Sequence, residues 1–111
     1  MKISTTESVA GHTITRSLGV VTGNTVRSKH IGRDIMASIK TIIGGEVRGY
    51  TEMLSEARQE ATQRMVKNAA ALGADAVVNV RFTTSAIAQG MSEMLAYGTA
   101  VNLDASTPPL P

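Results

Sequence analysis

The sequence predicts an α+β fold: a small, four-stranded, mostly antiparallel sheet with two helices, in the order ββααββ. Three observations carry that expectation. Stretches rich in Thr, Val and Ile lie towards both ends of the chain, the apolar spacing changes to three and four residues in the middle, and glycines punctuate the changes.

The first strand is expected over residues 3–6 and the second over 13–26, joined by a turn near Gly11. Ile14, Leu18 and Val20 share one parity of the second strand, and Gly19 and Gly23 within it predict a bulge or the close approach of another backbone. Ile31, Ile35, Ile39 and Ile42, with Met36 and Ile43 beside them, then recur at helical spacing. A short amphipathic helix is therefore expected over 32–43, stopped by Gly44-Gly45. A longer helix follows, from about residue 46 or 50 to Leu72, with Tyr50, Met53, Leu54, Ala57, Ala61, Met65, Ala69 and Leu72 as its apolar face. Alanines at 57, 61 and 69 make that face thin, which lets the helix sit close to whatever it covers. Glu52, Glu56, Glu60 and Arg64 occupy the other side. They read as a solvated face, because a Glu60–Arg64 pair at i,i+4 contributes only about a few tenths of a kcal/mol. Gly73 suits the left-handed position that ends a helix, where a residue without Cβ meets no steric cost.

A third strand is expected over 75–84, with Ala76, Val78, Val80 and Phe82 on the core face and Val77, Asn79, Arg81 and Thr83 on the other. Residues 85–91 read as a flexible connection of hairpin length, and the last strand as 92–103. One parity of that strand is Glu93, Leu95, Tyr97, Thr99, Val101 and Leu103. The other is Met94, Ala96, Gly98, Ala100 and Asn102, a short-sided row that a second backbone can approach. Pairing residue 81 with residue 93 would make Arg81 and Glu93 a cross-strand ion pair. Residues 1–103 form one domain, and 104–111, with three prolines, form a disordered tail.

Composition narrows the function classes. With 111 residues, 42% apolar and 3% aromatic, the core must come from Ile, Val, Leu, Met and Ala. The absence of cysteine excludes a disulfide scaffold and any thiolate zinc or iron–sulfur site. A formal charge of +2, with the lysines and arginines scattered among acids, lacks the basic stripe of a nucleic-acid binder. No signal-like leader and no apolar run near 20 residues are present, so a soluble cytoplasmic protein with no membrane partner is expected.

Chemistry-bearing motifs are sparse. His12 lies in a predicted turn and His30 in the loop before the first helix, and neither belongs to a nucleophile–base–orienter set. His30 and Asp34, four apart, share one side of a helix and can meet at a metal, although Gly32 interrupts that helix start and two ligands make a poor site. Met91 and Met94 carry thioethers suited to Cu(I), but strand geometry puts them on opposite faces. Gly44-Gly45-Glu46-Val47-Arg48-Gly49 lacks the Lys-Ser/Thr ending of a phosphate-binding loop. Because the last strand is apolar or small on both parities, the chain has more apolar surface than two helices cover, and burial against identical subunits is the simplest remedy.

Several segments resemble the YbjQ-like family over roughly residues 3–103: Thr5-Thr6-Glu7 with Gly11, Gly19-Val20-Val21, Gly44-Gly45-Glu46 followed by Tyr50-Thr51, Ala57-Arg58, Leu72-Gly73-Ala74-Asp75-Ala76-Val77, Val80-Arg81-Phe82 and Tyr97-Gly98-Thr99-Ala100-Val101. The resemblance implies a dodecin-subunit-like α+β domain that forms a homopentameric ring, sometimes two rings stacked. The family is of uncharacterised function and carries a heavy-metal-binding label. The resulting expectation is a non-enzymatic, cytoplasmic homo-oligomer whose partner is itself, with no catalytic residues and no nucleic acid. A divalent or soft metal ion is the one cofactor implied, with His30, Asp34 and His12 as candidate ligands. The alternative is a small-molecule-binding module with its site between subunits or in the central channel.

Overall fold

The computed structural model describes residues 1–28, 47–88 and 91–104. The helix expected over 32–43, the Gly44-Gly45 stop, the side chain of Tyr50 and residues 105–111 lie outside them. The described chain runs β1 (Lys2–Ile3), β2 (Ile14–Ser28), α1 (Val47–Ala71), β3 (Ala76–Ala88) and β4 (Met91–Leu103). One helix packs on a four-stranded mixed sheet of order β1-β3-β4-β2. The two N-terminal strands are chain neighbours but occupy opposite edges: β1 runs parallel to β3, while β2 and β3 both run antiparallel to β4. α1 is not long and apolar enough to cross a membrane.

The side of the sheet under α1 holds the main core. Ala57, Ala61, Met65 and Ala69, spaced four apart, press onto Val21, Val77, Val80, Met94, Ala96 and Ala100. The thin alanine ridge has the consequence expected of it: a Cβ on Gly23 would lie 2.2 Å from both the Ala61 carbonyl oxygen and the Met65 amide nitrogen, so strand and helix backbones touch. The small-residue row of β4 is therefore filled by the chain's own helix and is not the face left for other subunits. Leu54 and Leu72 of the predicted apolar face are exposed, so the buried ridge is narrower than the periodicity suggests.

Helix α1 stops where Gly73 takes φ 78°. The Ala74 amide donates to the Ala69 carbonyl at 3.1 Å and the Gly73 amide to the Ala70 carbonyl at 3.0 Å, the paired bonds that close a helix around a left-handed residue.

Two irregularities overturn the simple alternation. In β2 the register slips between Ser17 and Gly19, where Gly19 has φ 100°, so Leu18 packs with Val21 and Gly23 under the helix and Val20 is 74% exposed. In β3 it slips between Val78 and Arg81, with Asn79 at φ 54°. Ala76 and Val78 face away from α1 while Val77 and Val80 face it, and Phe82, expected in the core, is 44% exposed. The pairing also differs from expectation, because β3 and β4 run on to a shorter connection. Arg81 lies opposite Tyr97 and Glu93 opposite Ser85, so the expected Arg81–Glu93 ion pair does not form. Arg81 donates instead to the carbonyls of Thr5 and Val80 at 2.9 Å each, and Glu93 accepts from Asn24 at 3.0 Å. The expected long connection is also shorter: β3 continues to Ala88, paired with Met91, leaving residues 89 and 90 between the strands.

A second, smaller core forms on the far side of the sheet, where Ala76, Val78 and Val101 are covered by Val9, Ile14 and Leu103. It occupies only the end of the sheet near β1. Towards the β3–β4 connection the far side carries no such cover among the described residues.

Candidate functional site

Of the expected ligands, His30 and Asp34 lie outside the described residues. His12 closes a turn, its amide donating to the Val9 carbonyl at 3.1 Å around Gly11 at φ 82°. The Lys2 ammonium donates to its Nε2 at 3.0 Å. An ammonium can only donate, so Nε2 holds the lone pair and the buried Nδ1, which has no hydrogen-bond partner, carries the proton. A cation already occupies the nitrogen a metal would need. Among the described residues no three His, Cys, Asp or Glu side chains gather. Met91 and Met94 do sit on opposite faces of β4, Met94 under the helix and Met91 exposed on the other side.

Two polar clusters organise the surface. Along the outer edge of β2, Glu60 accepts from Arg27 at 2.7 Å and from Arg64, which also donates to the Asn24 carbonyl at 2.6 Å, while Asn68 donates to the Thr22 carbonyl at 2.7 Å. The Glu60–Arg64 pair read as solvated is thus part of a half-buried clamp that satisfies edge carbonyls and denies them to another strand. At the opposite end, the Asp75 carboxylate accepts from the Leu103 amide at 2.9 Å and from Asn102 at 3.2 Å. Those two donors, the backbone one first, hold its pKa below the usual 3.8 against a small opposing cost of desolvation. Asn102 also reaches the Gly73 carbonyl at 2.8 Å, and Asp104 exchanges two bonds of 2.9 Å with Thr13, so this end of the sheet is pinned.

Two surfaces remain. On the helix side, a cavity of about 390 Å³ opens between α1 and the end of the β3–β4 hairpin, lined by Arg58, Phe82, Thr83, Thr84 and Met94. Sequence reasoning missed it because strict alternation places Phe82 in the core; the signal that points to it is Arg58, whose helix neighbours at three and four residues are Leu54, Ser55, Ala61 and Thr62, none of them acidic. On the far side, Val20 and Val26 of β2 and Met91 and Tyr97 of β4 are exposed, with Thr22, Asn24 and Glu93 interspersed among them. Beside it, β3 from Arg81 to Ala88 is exposed throughout, and β1 pairs with β3 only at Ala76 and Val77.

Comparison with known proteins agrees with this architecture. A family described as "Putative heavy-metal-binding" matches residues 1–104. A UPF0145 protein of Photobacterium profundum is 68% identical over 99 residues, covering 89% of this chain and 96% of the relative. A UPF0145 protein of the archaeon Archaeoglobus fulgidus is 61% identical over 101 residues, covering 91% and 94%. Among solved structures, a protein of unknown function from the DUF74 family of Pediococcus pentosaceus superposes with a TM-score of 0.62 at 22% identity, covering 94% of this chain and 98% of its own, which is a likeness of fold. With a match running from the first residue through the end of β4, the chain belongs to the YbjQ family of UPF0145 proteins.

Proposed function

We propose that the protein acts as a non-enzymatic, cytoplasmic homo-oligomer, a ring of five copies on the pattern the family resemblance implies. The observation that carries the reading is the open far side of the sheet, where Val20, Val26, Met91 and Tyr97 are exposed although Ala76, Val78 and Val101 a few residues away have their own cover. A strand pair with one wet face ordinarily alternates apolar and polar side chains. Here the outward rows carry Val20, Val26, Leu95 and Tyr97 among Thr22, Asn24, Glu93 and Thr99, and a second copy presenting the same rows offers both the apolar and the polar partners. The clamp along β2 favours contact through this face, and through the 81–88 edge of β3, over contact through the edge of β2.

Static light scattering after size exclusion tests the proposal. The expected result is a mass several times the 11.7 kDa of one chain, reduced by Tyr97→Lys without loss of far-ultraviolet circular dichroism. A wild-type mass of one chain overturns it. Heavy-metal binding comes to this chain from the family description alone; calorimetric titration of chelator-treated protein with Zn²⁺, Cu²⁺ and Cd²⁺ tests it, and no heat above buffer for any of the three removes it.

A further inference from the structure

The cavity on the helix side joins three features of a binding site. Its volume, about 390 Å³, falls within the roughly 300–1,000 Å³ of small-molecule pockets. One wall is Phe82, the chain's single phenylalanine, 44% exposed where an apolar ring ordinarily hides. Met94, only 6% exposed, contributes a soft, polarisable surface that adapts to a flat ring. The third feature is charge. Arg58 has one described side-chain partner, the Ser55 hydroxyl at 3.2 Å, whereas Arg27 and Arg64 both bind Glu60. No acid sits one helical turn away from Arg58 on its own side of α1, so its guanidinium keeps its full charge beside the cavity. Thr84, on the same face of β3 as Phe82, adds a hydroxyl group to the same lining.

We propose that this cavity is a binding site for a small organic monoanion with a flat apolar body, a carboxylate on an aromatic or conjugated frame. Arg58 takes the carboxylate through paired N–H donors, Phe82 and Met94 take the frame, and the Thr84 hydroxyl completes the polar rim. An inorganic anion offers nothing to Phe82 and Met94, and a neutral ring leaves Arg58 unanswered, so both halves of the ligand are needed. The site opens on the opposite face of the sheet from the exposed row of β2 and β4 and shares Phe82, Thr83 and Thr84 with the 81–88 edge, so its ligand is titrated separately from the light-scattering test of assembly.

The test is methyl NMR of the full chain with ¹³C-labelled methionine methyl groups, titrated with 2-naphthoate, its neutral counterpart 2-naphthamide, and inorganic phosphate. The expected result is a saturable shift of the Met94 methyl signal with 2-naphthoate and not with phosphate, at least about tenfold weaker for the amide or for Arg58→Gln, and weakened severalfold by Phe82→Leu. The buried Met65 methyl stays in place in both variants and reports that they are folded. A Met94 signal that does not move with 2-naphthoate, or one that moves equally for the amide or for Arg58→Gln, overturns the proposal.

Discussion

Gly23 stands where two backbones meet. A single methyl group there would overlap the Ala61 carbonyl and the Met65 amide at 2.2 Å, and neither atom belongs to a side chain that can swing aside. Gly23→Ala is therefore expected to destabilise the fold by about 3 kcal/mol or more, at the upper end for overpacking, as measured by urea unfolding. Asp75 controls the other end of the sheet. Its folded pKa lies below the ordinary 3.8, so its contribution is present above that value and lost as pH falls through the folded pKa. The stability gap between the wild type and Asp75→Asn is expected to be widest at neutral pH and to close progressively below about pH 4, which denaturant titrations across that range measure. The two sites differ in how plainly the sequence announces them. Gly23 is legible because glycine weakens a strand interior and is found there chiefly at a bulge or where a second backbone comes close, and Gly73 because a helix end favours it. Asp75 is not, since its partners are a backbone amide and an asparagine 27 or more residues along the chain.

Elements were easier to foresee than their faces. The long helix and both later strands follow from periodicity, yet periodicity assumes an unbroken pleat. Asn79, in a left-handed conformation at φ 54°, and the slip beside Gly19 each insert a residue and reverse the face of everything beyond. That is why Val20 is exposed and why Ala76 and Val78 face away from α1 while Val77 and Val80 face it; Phe82 keeps the helix side of β3, and Arg81 meets Tyr97 because the two strands run on to a shorter connection. The same geometry changes the meaning of the small row on β4. Ala100 is fully buried beneath α1, so Ala100→Glu is expected to leave a buried charge without a partner and cost about 3–5 kcal/mol, a loss of the folded state and not only of an assembly. Circular dichroism separates the two: an oligomer-specific defect keeps the helical signal, a fold defect removes it.

At the scale of the whole molecule, the sheet is two different environments joined end to end. Near β1 it is covered on both sides, by α1 and by the Val9, Ile14 and Leu103 cluster. Near the β3–β4 connection it has α1 on one side and an open far face on the other, together with the cavity and the exposed 81–88 stretch. The surplus of apolar surface seen in the sequence is real, but it lies in the outward row of β2 and β4 and not in the row of alanines. The sequence could not distinguish these, because which row a helix covers depends on the two slips in register.

The left-handed turn of the chain at Asn79 has a consequence in time as well as in space. It divides β3 into a segment locked between two cores and a segment, Arg81 to Ala88, that is exposed throughout. Amide hydrogens of Val77, Val78 and Val101 are expected to exchange with deuterium only when the whole domain unfolds. Those of Thr83 to Ala88 should exchange orders of magnitude sooner in a dilute, unassembled chain and slow sharply once copies associate. Measured residue by residue, that boundary gives a clock reading of which half of the sheet waits for a neighbour and which half is finished by itself.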